Sequence, residues 1–140
     1  MNILYTAEAL STGAGRNGKV ATSDKSFELD LAIPKEMGGS GAGTNPEQLF
    51  AAGYAACFHS ALQVVARSQK VTLSDSAVGS RVHIGPTDTG GFQLGVLLEV
   101  VLPGIEPAQA QSLVDAAHQV CPYSNATRGN IDVTITVSED

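Results

Sequence analysis

Two cysteines, Cys57 and Cys121, are the only sulfur nucleophiles in a chain of 140 residues. A thiol does chemistry as its thiolate and otherwise packs as a small apolar group, so its acidity decides which role it takes. Cys57 falls near the middle of a long apolar run, Leu49 to Ala66. Deep in a helix it gains little from a helix N-terminus, so a reactive thiolate there needs a cation within reach. Composition does not choose among the eight Lys and Arg residues. Arg16 stands out because it lies among the turn glycines Gly13, Gly15 and Gly18, where a loop can project a side chain into a cleft. Glu47 belongs to the first turn of the same helix, and a favourable charge at the positive end of the helix dipole already accounts for it. A reversible disulfide between the cysteines is sterically conceivable, but spacing alone does not establish it. Cys57-x-His59 and His118-x-x-Cys121 make a weak zinc match, because residues i and i+2 of a helix point about 200° apart, and no metal site is expected. His83 reads as a surface or satisfied strand residue, and no Ser-His-Asp grouping is visible.

The elements that must position these residues follow from patterning. Ile3 to Ser11, Lys19 to Thr22 and Phe27 to Ile33 read as a three-stranded N-terminal meander punctuated by Gly13, Gly15, Asn17 and Gly18. The glycine run Gly38 to Gly43 lacks the Gly-Lys-Ser/Thr ending of a phosphate-binding loop and reads as a flexible connector. Asn45 can cap a long helix, with Pro46 at its first position and Gln48 completing a capping box. Small and apolar residues at nearly every position to Ala66 predict a helix covered on most sides and central to the fold. Val78 to Ile84 and Phe92 to Leu102 predict a hairpin, and Glu106 to Val120 a second helix ended by Cys121-Pro122. Ile131 to Val137 alternates as a half-buried strand. The order β-β-β-α-β-β-α-β, with strands in runs, predicts an α+β fold with antiparallel sheets, formed as a single domain over residues 1–140.

Charge and cysteine usage narrow the partners. Fourteen Asp and Glu against eight Lys and Arg give a formal charge of -6, which repels a phosphate backbone, so no nucleic acid is expected. Two cysteines are too few for a secreted disulfide scaffold, and a chain this long needs no staple to hold a core; a reducing cytoplasm is expected. No basic region followed by an apolar stretch marks the N-terminus as a signal peptide. Leu49 to Ala66 approaches the length of a membrane span, but Gly53, His59, Ser60 and Gln63 favour a buried helix, and no membrane is expected as a partner.

Two long segments, each with its cysteine in register, carry a resemblance. Pro34-Lys35-Glu36-Met37-Gly38-Gly39 through Thr44-Asn45-Pro46-Glu47-Gln48-Leu49-Phe50-Ala51-Ala52-Gly53-Tyr54-Ala55-Ala56-Cys57-Phe58, together with Val120-Cys121-Pro122-Tyr123-Ser124-Asn125-Ala126-Thr127-Arg128-Gly129-Asn130-Ile131-Asp132, closely resembles the organic hydroperoxide resistance (Ohr) proteins of the Ohr/OsmC superfamily. The likeness extends over essentially the whole chain, including Leu4 to Ala7 and Gly15 to Gly18. It implies an OsmC-like fold with two main helices in an intertwined homodimer, long helices at the centre. It also implies a bacterial antioxidant peroxidase of the oxidative stress response that reduces alkyl and fatty-acid hydroperoxides to alcohols. By position, Cys57 would be the peroxidatic cysteine and Cys121 the resolving one, with Arg16 stabilising the thiolate and Glu47 orienting Arg16. The likeness implies no bound cofactor, with dihydrolipoamide or a lipoylated protein to reduce the disulfide.

The residues add their own readings beside the resemblance. Phe50, Phe58 and Leu62 are candidates for an apolar pocket that prefers an organic tail over hydrogen peroxide. Glu47 and Cys57 lie ten residues apart, ~15 Å of rise on a continuous helix and beyond side-chain contact. Either the helix breaks between them or each site is shared between two subunits, and sharing is expected. A thiol redox sensor or small-molecule binder without rapid turnover is the rival expectation.

Overall fold

The computed structural model describes all residues, Met1–Asp140. It forms two compact units, Met1–Leu49 and Phe50–Asp140. The first holds an antiparallel sheet of β1 (Ala9–Thr12), β2 (Lys19–Thr22) and β3 (Glu28–Asp30) in that order. Every side chain of β1 is exposed, and the expected strand shortens at its N-terminal end, leaving Ile3, Leu4 and Tyr5 in water at 70%, 93% and 79% exposure.

The glycine run is not a slack connector. It turns back along the chain leaving β3, with Ala32 N–H donating to Thr44 O at 2.9 Å and Gly41 N–H to Ile33 O at 2.9 Å. The approach is close enough that a Cβ on Gly39 would overlap the Ile33 carbonyl oxygen, an overlap that only a missing side chain avoids.

Helix α1 (Pro46–Ser68) begins as its sequence predicts: Gln48 N–H donates to Asn45 Oδ1 at 2.9 Å, and Pro46 fills the first helical position, where no N–H is required. By length and composition α1 is able to cross a bilayer. Its side chains Tyr54, Phe58, Ala61, Leu62, Val65 and Ala66 are instead buried in protein. The expectation that it is covered on most sides holds for one face only. Ala52, Ala56, Ser60 and Val64, four residues apart and therefore stacked along one stripe, remain exposed.

The second unit carries a sheet ordered β4 (Ala77–Pro86), β5 (Phe92–Val101), β6 (Val133–Ser138), and the helices α2 (Pro107–Val120) and α3 (Pro122–Thr127). β4 and β5 form the predicted hairpin. β6 runs parallel to β5, which corrects the expectation of purely antiparallel sheets. The physical reason lies in the connection: α2 and α3 intervene, and a helical crossover returns the chain to the same end of the sheet, so the next strand enters in the same direction. α3 is a further correction, since Cys121-Pro122 starts a short helix as well as ending α2.

Alternation puts Val96, Leu98 and Val100 of β5, followed by Leu102, into the core against Phe58 and Leu62 of α1 and Leu113, Val114 and Ala117 of α2. Each large apolar side chain buried there contributes about 1.5–3 kcal/mol. Glu106 starts α2 by accepting from the N–H groups of Ala108 and Gln109 at 3.2 and 3.3 Å.

Gly39→Ala should cost about 1–3 kcal/mol of folding free energy, because the atom its Cβ meets is backbone and cannot rotate away. Gly95→Ala, where a Cβ meets open space, should change stability by less than about 0.5 kcal/mol. Urea unfolding of the two variants checks the contrast.

Candidate active site: a cysteine pair and an arginine-carboxylate fork

The two cysteines meet. Cys121 Sγ donates toward Cys57 Sγ at 3.5 Å, with both thiols free. Cys57 projects from the middle of α1, half-buried, while Cys121 is wholly buried at the junction where α2 ends and α3 begins. A disulfide requires about 2.05 Å between sulfurs, so closing the pair takes roughly 1.5 Å of approach, within reach of side-chain rotation and a small backbone shift.

The acidity of Cys57 is a contest. Burial pushes its thiol up, the backbone N–H of Tyr123 pulls it down by hydrogen bonding to the sulfur, and proximity to Cys121 pushes it up again; the net direction is upward. The Tyr123 contact was hidden from sequence reasoning. Cys57 gains nothing from the start of its own helix, but the first turn of α3 presents an N–H to it. The available signal was Cys121-Pro122, since proline after a turn residue favours a helix start.

Arg16 and Glu47 also meet, within the first unit. Arg16 lies in the single 3-10 turn Gly15–Asn17, which Gly18 N–H closes by donating to Gly15 O at 2.9 Å; Ile33 N–H donates to Asn17 Oδ1 at 3.1 Å and ties the loop down. Its two terminal nitrogens donate to the two Glu47 carboxylate oxygens at 2.8 and 2.7 Å. This bidentate fork fixes the guanidinium plane and leaves three of its roughly five N–H donors unused by Glu47. Hydrogen bonding to Arg16 holds the Glu47 carboxyl below its ordinary range, and the same bond holds the guanidinium's proton more firmly. With Arg16 35% exposed, the pair is better read as an orienting device than as a large source of stability.

Of the expected pocket residues, Phe58 and Leu62 are fully buried core. Phe50 stacks edgewise on Tyr54 and on Tyr123 at 6.2 and 6.0 Å, and Tyr54 and Tyr123 lie 5.6 Å apart. The aromatic wall beside Cys57 is therefore Phe50, Tyr54 and Tyr123, two of which sequence reasoning missed. Gly53 makes room for it: a Cβ there would lie 2.6 Å from Tyr123 Oη. Below the wall, Tyr54 Oη hydrogen bonds Ser124 Oγ at 2.8 Å and Thr127 Oγ1 at 3.1 Å, and Ser124 Oγ hydrogen bonds His118 Nδ1 at 2.8 Å. No three His, Cys, Asp or Glu side chains gather as a metal-binding group. His59 Nε2 instead bonds Ser76 Oγ at 2.9 Å.

The OsmC-like protein family model matches residues 38–136. The organic hydroperoxide resistance protein of Xanthomonas axonopodis pv. citri is 54% identical over 138 residues, covering 97% of this chain and 96% of that one. Among solved structures, an organic hydroperoxide resistance protein of Legionella pneumophila superposes with a TM-score of 0.94 at 53% identity, covering 98% of this chain and 99% of that one. A counterpart from Elizabethkingia anophelis, with thiocyanate bound, gives 0.95 at 49% identity over the whole of both chains.

His118 and Glu47 titrate in separate windows. Burial, helped by Arg128, lowers the His118 pKa against a weaker opposite pull from Asp115, so its neutral form contributes stability that is fully present above its ordinary value of 6.5 and is lost as pH falls below that. The Glu47 carboxylate, its pKa lowered by Arg16, contributes stability above 4.5 that is lost as pH falls below that value. Urea midpoints measured against pH should therefore flatten below 6.5 in His118→Gln and below 4.5 in Glu47→Gln, each relative to the unsubstituted protein.

Proposed function

The chain belongs to the organic hydroperoxide resistance proteins of the OsmC-like family, and from that premise we propose that it is a cytoplasmic, thiol-dependent peroxidase that reduces organic hydroperoxides to alcohols. The observation that carries the reading is the 3.5 Å approach of two free thiols from distant parts of the chain, one half-buried and one wholly buried.

In the proposed cycle the Cys57 thiolate attacks the outer peroxide oxygen. An S–O bond forms, the O–O bond breaks, and the alkoxide takes a proton and leaves as the alcohol, with Cys57 now a sulfenic acid. Cys121 attacks that sulfur, water departs, and a Cys57–Cys121 disulfide remains. A dihydrolipoyl dithiol, free as dihydrolipoamide or carried on a lipoylated protein, then exchanges with the disulfide, restoring both thiols while its own sulfurs become oxidised. The aromatic wall of Phe50, Tyr54 and Tyr123 supports a preference for substrates with an apolar tail.

Burial pushes the Cys57 thiol up, so the proposed cycle needs a cation beside the sulfur. Arg16, held flat by Glu47, is the group proposed for this, lowering the thiol pKa and stabilising the developing alkoxide. Helix α1 is unbroken from Pro46 to Ser68, which removes the broken-helix route for Glu47 to approach Cys57. The proposal is therefore a homodimer in which the fork of one subunit serves the cysteines of the other. The exposed stripe Ala52, Ala56, Ser60 and Val64 and the exposed Ile3, Leu4 and Tyr5 support such an assembly, since both are apolar surfaces that a second copy would cover. The upward push on the Cys57 thiol favours one second reading, a redox sensor that forms the disulfide but turns over slowly.

With an alkyl hydroperoxide and dihydrolipoamide, the protein should consume peroxide over many turnovers, with activity abolished in Cys57→Ser and reduced at least tenfold in Cys121→Ser. Stoichiometric oxidation without turnover would support the sensor instead. Mixing an Arg16→Ala subunit with a Cys57→Ser subunit should restore one working site per mixed dimer, whereas no recovery in verified mixed dimers would refute sharing.

A further inference from the structure

The proposed cycle leaves the buried hydroxyls behind the cysteines without a role, and their placement is regular. Tyr54 precedes Cys57 by three residues on α1, and Ser124 follows Cys121 by three residues on α3. Residues three apart share a helix face, so the 2.8 Å Tyr54–Ser124 hydrogen bond runs alongside the 3.5 Å sulfur contact, one turn away on both sides. α3 has six residues, too short to hold its place by helix formation, so contacts must locate it. Those contacts include Tyr54 to Ser124 and Thr127, His118 to Ser124, the Tyr123 ring seated at Gly53 and against Phe50, and Arg128 at the end of α3 donating to His118 O at 2.6 Å. Tyr54 and Ser124 are wholly buried, so no water replaces a lost partner without cost.

We infer that Tyr54 and Ser124 are positioning residues whose hydroxyl-to-hydroxyl bond holds the Cys121 turn within closing distance of Cys57. The inference rests on the reading that Cys121 resolves oxidised Cys57. With the turn held, the remaining approach is made by the sulfurs; with it released, α3 samples positions from which Cys121 does not reach. The resolving step, in which the Cys121 sulfur displaces hydroxide from the sulfenic acid and that hydroxide leaves as water with the Cys121 thiol proton, then slows relative to a second peroxide oxidising the sulfenate to sulfinate with release of another alcohol. His118, the other partner of Ser124, orients that hydroxyl from α2.

The dithiol–disulfide equilibrium of the full-length protein in a glutathione redox buffer tests this without peroxide. Tyr54→Phe and Ser124→Ala should each lower the equilibrium constant for disulfide formation about tenfold, and the double variant should lose less than the product of the two, because the Tyr54–Ser124 bond is common to both. Ser124→Thr, which keeps the hydroxyl, should recover most of the loss, and it carries the test with Ser124→Ala should Tyr54→Phe fail to fold. With peroxide, the hydroxyl-deleted variants should accumulate more Cys57 sulfinic acid per disulfide formed, read by mass spectrometry. Val100→Ala, destabilised in the sheet core, should keep the unsubstituted equilibrium constant. Unchanged constants in folded Tyr54→Phe and Ser124→Ala overturn the inference, as does an equal fall in Val100→Ala. A protein that forms the disulfide in glutathione but fails to turn over peroxide sinks the peroxidase reading while the variants still decide this one.

Discussion

Even a half-buried sulfur resists becoming an anion, and this constraint falls on Cys57. Burial raises the Cys57 thiol pKa. The structure supplies one compensating group at short range, the Tyr123 N–H at the first turn of α3. The Arg16–Glu47 fork is a fixed charge whose plane is set by two short hydrogen bonds, with part of its donor set left over.

Helix α1 carries two burdens that its sequence separates by face. Tyr54, Phe58, Leu62 and Val65 form the face that holds the second unit's core, and Cys57, at the margin of that face, is half-buried. The stripe Ala52, Ala56, Ser60 and Val64 is small and unoccupied within one chain. An apolar pattern that looks like all-round burial thus divides into a face satisfied within the chain and a face left exposed.

Much of this was legible before any coordinates. Asn45-Pro46 marked the start of α1, helical spacing placed α2 over Glu106 to Val120, and the alternation of Ile131 to Val137 marked β6 as half-buried. The parallel pairing of β6 was not legible, because β5, α2 and β6 alternate as a crossover unit while the earlier strands come in runs, and runs of strands point to antiparallel pairing. α3 was hidden because Cys121-Pro122 serves two helices at once, and the glycine run hid its turn because glycine permits a tight turn as readily as a loose one.

What the sequence by itself determined is local: which residues start helices, which strand positions face inward, and which few side chains have the chemistry of a thiol, a fixed cation and a carboxylate. Family likeness extended that to roles for Cys57, Cys121, Arg16 and Glu47. Tertiary structure alone decided that the two sulfurs lie 3.5 Å apart, that Arg16 grips Glu47 with both terminal nitrogens, and that Tyr123 presents its N–H to Cys57. The physical reason is that periodicity and capping act over a few residues, whereas these contacts join residues 31 to 66 positions apart, and only tertiary folding brings such distant groups together.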